Sequence, residues 1–292
     1  MIYEIKNSDF SAKITSMGAE LLSVKGKDGF EYIWQRDEKY WGGSAPVLFP
    51  IVGALRNGKT KIKDKWYEMG RHGFARKCEL AVIEHTDDKI SFNLKSNEDT
   101  KKFYPYDFSF TVTYWLTDSG INTKFSVYNI GGETLPFCVG GHPAFNIPVN
   151  ENAEFEDYTI IFEKAENQAC PKVELDSCLI NFDERTFTLE NETEIPLKHE
   201  LFYEDALVFE NLNSTKVKVS NKNSGRGVSM DFSGFDMLGI WSAQNDGPYI
   251  ALEPWTGCAT LTSESDSFEE KKNMTFLPVG EKADYTFKVS FF

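Results

Sequence analysis

Phe108-Ser109-Phe110-Thr111-Val112-Thr113-Tyr114-Trp115-Leu116-Thr117-Asp118-Ser119-Gly120-Ile121-Asn122-Thr123-Lys124-Phe125-Ser126-Val127 decides the fold. Phe108, Phe110, Val112, Tyr114 and Leu116 take alternate positions, with Ser109, Thr111, Thr113 and Trp115 between them. A period of two puts alternate side chains on opposite faces of an extended chain, so this stretch predicts a half-buried strand. Thr117-Asp118-Ser119-Gly120 carries turn chemistry, and Ile121, Thr123, Phe125 and Val127 then resume the alternation. The prediction is a long antiparallel hairpin.

The same grammar recurs on either side. Cys78–Ile83 and Ile90–Leu94 flank Thr86-Asp87-Asp88, Lys59–Ile62 and Trp66–Met69 flank Lys63-Asp64-Lys65, and Val217–Val219 and Val228–Phe232 flank an Asn/Ser/Gly loop. Hairpins rather than crossovers are therefore expected to connect the sheet. Helical periodicity is nearly absent; Asn97–Phe103 is the best candidate, with Ser96 and Asp99 placed as a capping box and Pro105 closing it. Val149–Leu201 is rich in Glu and Asn and poor in alternation, and long irregular loops are expected there. With no linker-like stretch or fixed repeat, the chain reads as one all-β domain over residues 1–292.

The 292 residues include 24 Phe, 12 Tyr and 6 Trp, enough apolar surface for one large core and incompatible with disorder. A net charge of −14 repels nucleic acid and anionic membranes and leaves neutral ligands unaffected. The N-terminal stretch has neither a basic leader nor an apolar run, and no segment is long enough to span a bilayer. Five scattered cysteines without CxxC spacing argue against a disulfide framework and a zinc site, and point to reduced thiols in a cytoplasm.

Two of the four histidines sit in glycine-flanked segments, Arg71-His72-Gly73 and Gly141-His142-Pro143, and a rigid carboxylate follows in Glu253-Pro254-Trp255. An imidazole and a carboxylate in surroundings that admit a ligand close to the backbone suit acid/base chemistry. A His between Gly and Pro can also simply cap a turn. His85 borders a turn and His199 lies among charged residues; both are read as solvated and without a role.

Four segments combine unusual residue types with rigidity: Trp41-Gly42-Gly43-Ser44-Ala45-Pro46 running on to Gly53, Arg71-His72-Gly73-Phe74-Ala75-Arg76, Gly140-Gly141-His142-Pro143-Ala144-Phe145-Asn146, and Leu252-Glu253-Pro254-Trp255-Thr256-Gly257. In this order they resemble the aldose 1-epimerase (galactose mutarotase) superfamily, and more closely its LacX-like branch, across essentially the whole chain. The resemblance implies a large antiparallel β-sandwich of the galactose mutarotase type, an open sugar cleft, no cofactor or metal, and interconversion of the α and β anomers of an aldose.

By family position the resemblance makes Glu253 the general base and His142 the general acid, with His72 hydrogen-bonding the sugar near its ring oxygen. On this reading His142 needs only a modest adjustment of its ordinary pKa of about 6.5, whereas a second carboxyl acid would need a large upward shift. Asp205 resembles the family's sugar-binding aspartate. Trp255 and Trp241 are candidate platforms for a sugar face, and Gln244 a candidate partner for hydroxyls, although aromatic residues in so Phe-rich a chain are often core.

Arg56, Arg71 and Arg76 cluster around His72. Such a cluster suits a phosphate or carboxylate, as in the hexose-6-phosphate epimerases of the superfamily, or else pairs with local acids. Where the branch usually reads Val-Gly-Arg-Leu and Gln-His-Gly-Phe-Ala-Arg, this chain has Val52-Gly53-Ala54-Leu55 and Arg71-His72, one arginine lost and another gained. The first expectation is thus an aldose 1-epimerase acting on a sugar, with Arg71, Arg76, Asp205, His72 and Trp241 binding it. The alternatives are a hexose-6-phosphate 1-epimerase acting on a sugar phosphate and a non-catalytic sugar sensor. A glycoside hydrolase usually needs a carboxyl pair, and only one carboxylate is well framed. Neither nucleic acid nor membrane is expected as a partner, and the chain is expected as monomer or homodimer.

Overall fold

The computed structural model describes residues 1–149 and 153–292. Phe108–Thr117 and Gly120–Asn129 form the predicted hairpin, with Leu116 opposite Ile121, Tyr114 opposite Thr123 and Phe110 opposite Val127. Phe108, Phe110, Val112, Tyr114 and Leu116 are buried, while Ser109, Thr111 and Trp115 keep partial exposure on the other face. The other three hairpins also form, as Ala81–His85 with Lys89–Lys95, Lys59–Ile62 with Lys65–Glu68, and Lys216–Asn221 with Gly227–Asp231.

Two large sheets face each other. The nine-stranded one runs Ile180–Pro196, Tyr158–Val173, Lys216–Asn221, Gly227–Asp231, Lys282–Phe291, Gly120–Asn129, Phe108–Thr117, Lys89–Lys95, Ala81–His85. Its two halves are joined by the C-terminal strand Lys282–Phe291, which pairs with Gly120–Asn129 on one side and Gly227–Asp231 on the other. Connections between strands consecutive in sequence account for the half from Ala81 to Asn129, but not for this joint or for the pairing of Tyr158–Val173 with Lys216–Asn221. The six-stranded sheet orders Leu207–Glu210, Met237–Trp241, Tyr249–Trp255, Gly140–Gly141 and Val47–Leu48, with Ala144–Asn146 also paired to Tyr249–Trp255.

One apolar core joins the sheets, with Phe110, Val112 and Phe125 from the first meeting Leu207, Phe209, Leu238, Ile240, Ile250 and Leu252 from the second. Phe49, just past the Val47–Leu48 strand, stacks on Phe110 at 4.4 Å and 6°. Burying a side chain of this size contributes roughly 1.5–3 kcal/mol, and such layers hold the sandwich closed.

Two expectations are corrected. Residues 153–201 are not a loop region: they contain the two longest strands, Tyr158–Val173 and Ile180–Pro196, paired with each other. Four register shifts interrupt that ladder, and much of the second strand is exposed, so no steady alternation marks it in the sequence. One irregularity is pinned by the buried Glu166 carboxylate, which accepts the amide protons of Asn213 and Ser214 at 2.9 and 2.7 Å. Residues 150–152, within the expected loop, lie outside the described residues.

The expected helix over Asn97–Phe103 shrinks to a single 3₁₀ turn, Thr100–Lys102. No capping box forms: Asp99 stands at the N-cap without a side-chain capping bond, the Asn97 side-chain oxygen just before it accepts from the amides of Asp99 and Thr100, and Ser96 donates to Asp107.

Candidate active site

The six-stranded sheet presents its large aliphatic residues to the core and a different set to its other face. Strand register puts Val208, Gly239 and Glu253 in one row across three strands. Beside it run Trp241, Ala251 and Ala144, and on the other side Met237, Trp255, Gly140 and Leu48. The indole of Trp255 fits because two neighbours lack side chains: a Cβ on Gly239 would stand 2.5 Å from its Cζ2, and one on Gly140 2.8 Å from its Cδ1. Alternation therefore brings Glu253 to the floor of a concave surface while Leu252 points into the core.

His142 follows the short strand Gly140–Gly141, with its amide donating to the Pro46 carbonyl. Its Nε2 lies 3.3 Å from Glu253 Oε1, and the two residues are only 8% and 2% exposed. Around the imidazole stand Trp41, stacked at 4.8 Å and 24°, and the edges of Trp241 and His72 at 5.5 and 5.7 Å.

His72 is held by Gly53 in both directions. Its amide donates to the Gly53 carbonyl at 2.8 Å, and its Nδ1 accepts the Gly53 amide proton at 3.0 Å. An accepting Nδ1 leaves the proton of the neutral ring on Nε2. Both residues have left-handed backbones, φ 67° at His72 and 70° at Gly53, a conformation that is strained for His.

At the mouth, Arg71 lies 3.6 Å from Asp205 and donates to Cys178 Sγ at 3.5 Å. Asp205 and Cys178 also have positive φ, 72° and 55°. Cys178 sits in the turn of the long hairpin, which is tied to the segment following Tyr249–Trp255 by hydrogen bonds from the Ile180 amide to the Thr260 carbonyl and from the Thr262 amide to the Ile180 carbonyl. Val173, Ile180, Ala206 and Val208 add an apolar wall to a cavity of about 230 Å³ that also contains His72, His142, Glu253, Arg71, Arg76, Asp205, Trp41, Trp241 and Trp255.

Burial dominates the electrostatics. It pushes Glu253 well above the usual carboxylate range, with Asp205 adding to the rise and Arg71 opposing it. It pushes His142 down to about 3 and holds His72 well below its ordinary value, so both imidazoles are neutral at pH 7. This corrects the expectation of a histidine titrating near neutrality. The pair carries one proton, and the dry surroundings place it on the carboxyl.

All seven residues expected in the site line this one cavity, although they span positions 71 to 253 of the sequence. Arg56 does not: it pairs with Asp266 and donates to the carbonyls of Leu261 and Glu264, a loop-closing role. Gln244 donates to the Tyr203 carbonyl outside the cavity. His85 is exposed, but His199 is half-buried and stacks on Phe155 at 4.0 Å rather than facing solvent. Trp41 and the hairpin residues Val173, Cys178 and Ile180 were not singled out by the sequence. Trp41 lay in a segment marked by unusual residue types and rigidity without a role of its own, and the hairpin had no readable pattern.

An antiparallel supersandwich with a buried imidazole–carboxylate pair on one sheet face places the protein in the galactose mutarotase-like class. The chain belongs to the aldose 1-epimerase family, whose sequence profile matches residues 1–290. It is 38% identical over 281 residues to the chromosomal protein LacX of Lactococcus lactis subsp. lactis, covering 94% of each chain. Its fold superposes with a TM-score of 0.95, at 34% identity, on a galactose mutarotase related enzyme from Lactobacillus acidophilus, covering 100% of this chain and 97% of the other. A galactose mutarotase-like protein from Lactobacillus casei matches at a TM-score of 0.92 and 30% identity, covering 100% of both. Membership of this family supports a carbohydrate epimerase role. Among the described residues no helix is long and apolar enough to cross a membrane.

Proposed function

We propose that this protein interconverts the α and β anomers of a single free aldose by opening and reclosing its pyranose ring. The observation that carries the reading is the His142–Glu253 pair, 3.3 Å apart at the floor of a cavity of about 230 Å³. That volume lies just under the ~300–1,000 Å³ of drug-sized sites and suits one sugar ring.

Glu253 takes the proton of the anomeric hydroxyl, the bond from C1 to the ring oxygen breaks, and His142 gives its Nε2 proton to that oxygen. The open aldehyde turns about its C1–C2 bond. Reclosure on the other face returns both protons, with the two groups exchanging roles. The working form carries the proton on His142, one transfer away from the resting neutral pair; Arg71 draws Glu253 toward its ionised state and opposes the charge on His142. His72, fixed as an Nε2 donor, hydrogen-bonds the sugar beside the ring oxygen. Asp205 and Arg71 meet hydroxyls at the mouth, and Trp241 offers an apolar face.

The test is polarimetry on freshly dissolved α-anomers of neutral aldoses. Glu253→Gln and His142→Asn should each slow anomerisation by ~10²-fold or more. Either variant keeping the wild-type rate overturns the acid/base assignment.

A second reading, a 6-phosphorylated sugar, is favoured by one observation. Arg76 is half-buried in the cavity and, among the described residues, its guanidinium has no ion-pair partner within 4.0 Å.

A further inference from the structure

A catalytic imidazole is usually held by a hydrogen bond to its second nitrogen, which fixes both ring orientation and tautomer. His142 has no such support from another residue: its Nδ1 is buried and, among the described residues, meets no other residue with hydrogen-bond geometry, only its own backbone lying close. What it has instead is a flat contact, the Trp41 indole lying parallel to the imidazole at 4.8 Å and 24°. The edges of Trp241 and His72 close the ring in from two further sides.

The placement of Trp41 is itself built into the fold. Its carbonyl accepts the indole N–H of Trp34 at 2.8 Å, and its amide donates to the Asp37 carbonyl. Its ring folds back across Gly43, where a Cβ would stand 2.4 Å from Trp41 Cζ2. A Trp41–Trp241 contact at 5.3 Å and a Trp41–Tyr249 stack at 5.9 Å brace the indole from behind.

We infer that Trp41 is the positioning residue of His142, its stacked indole replacing the absent Nδ1 hydrogen bond and keeping Nε2 aimed at Glu253 and the sugar. The inference rests on the epimerase reading only for its catalytic consequence; the holding role is a property of the free protein. A π face also favours a cation, so the stack stabilises the imidazolium that the working form requires. It does so among groups of both kinds: Glu253 favours that cation from its strand, while Arg71, Arg76 and a protonated His72 would oppose it.

The experiment compares wild type, Trp41→Phe and Trp41→Leu in the full chain, by kcat and KM for α-D-glucose and α-D-galactose and by crystal structures of the free proteins. Trp41→Leu should lose at least ~10-fold in kcat with KM changed less than about threefold, and its His142 ring should leave the 3.3 Å register with Glu253. Trp41→Phe should recover most of the rate and the ring position. If Trp41→Leu does not fold, Gly43→Ala displaces the same indole by a methyl group while leaving every functional group in place, and the same outcomes apply. A wild-type kcat, a loss confined to KM, a kcat loss with His142 unmoved, or Phe no better than Leu would each overturn the inference. Should the wild-type protein anomerise neither sugar, the epimerase reading fails for these sugars, and the ring position alone decides the role of Trp41.

Discussion

His72 and Gly53 hold each other by two reciprocal hydrogen bonds, amide to carbonyl at 2.8 Å and amide to Nδ1 at 3.0 Å, although 19 positions separate them in the chain. The arrangement turns a residue that titrates near neutrality in water into a fixed neutral donor. It also depends on glycine, because residue 53 has φ 70° and a Cβ there would stand 2.5 Å from the Cβ of Ala259. Gly53→Ala should therefore destabilise the fold by ~1–3 kcal/mol and weaken sugar binding together. Chemical denaturation and a binding titration on the same preparation check it. A variant as stable as wild type with unchanged affinity would show that the left-handed turn is not needed to aim His72.

Glu253 is kept at a cost to stability. Its folded pKa is raised above the unfolded value of ~4.3, so the stability present below that value is lost as pH rises toward the folded pKa. Glu253→Gln removes the ionisation and retains most of the shape. The variant should melt higher than wild type, by a margin that widens as pH rises from about 5. Melting curves across that range test this, and a margin that narrows with rising pH would contradict the raised pKa.

The two imidazoles work in the opposite sense. With His142 lowered to about 3 and His72 lowered by burial, neither should change charge in the folded protein between pH 5 and 8. Anomerisation, corrected for the spontaneous rate at each pH, should show no inflection near 6.5. Polarimetry gives the profile directly. A limb between pH 6 and 7 that vanishes in His142→Asn would mean that the imidazole is far wetter than its surroundings indicate.

Much of this arrangement was legible in the sequence, and the limits have physical causes. Glu253 sits in the alternation Ile250, Leu252 inward and Ala251, Glu253, Trp255 outward, so its face was encoded locally. His72 and His142 announced themselves through flanking glycines that the structure uses for close approach, as at Gly73, where a Cβ would stand 2.1 Å from the Phe49 carbonyl oxygen. The pKa values were not legible, because they depend on how completely the aromatic residues seal the floor. Trp41 was missed because its role exists only once Gly43 and His142, about a hundred residues apart, meet on it. The hairpin of Tyr158–Val173 and Ile180–Pro196 was missed because bulges erase the period that identifies strands.

That hairpin brings the site its one thiol. Of the five free cysteines, Cys138, Cys170 and Cys258 are buried, Cys78 and Cys178 are partly exposed, and Cys178 alone lines the cavity. Iodoacetamide should label Cys78 and Cys178, and a saturating sugar should slow the second reaction while leaving the first as an internal control. Mass spectrometry of the two peptides reads the result. Equal labelling of Cys178 with and without a sugar shown to bind would place the ligand away from the hairpin turn.

Arg76 decides between a neutral and a phosphorylated substrate. The cluster of three arginines expected around His72 resolves into three situations: Arg56 pairs with Asp266, Arg71 with Asp205, and Arg76 stands half-buried in the cavity without an ion-pair partner among the described residues. Burial lowers its pKa, Glu20 partly compensates, and Arg71 adds to the fall. A phosphate reaching it would gain charge-assisted hydrogen bonds that a hydroxyl gives only in part. If the substrate is phosphorylated, Arg76→Ala should lose ~10-fold or more in kcat/KM on glucose 6-phosphate and little on glucose, and the wild-type preference for the phosphate should shrink with added salt. If the substrate is neutral, the two sugars should suffer alike, because Arg76 then meets only a hydroxyl. Equal retention of both activities would leave Arg76 as an unpaired cation on the cavity wall and remove the anion reading altogether.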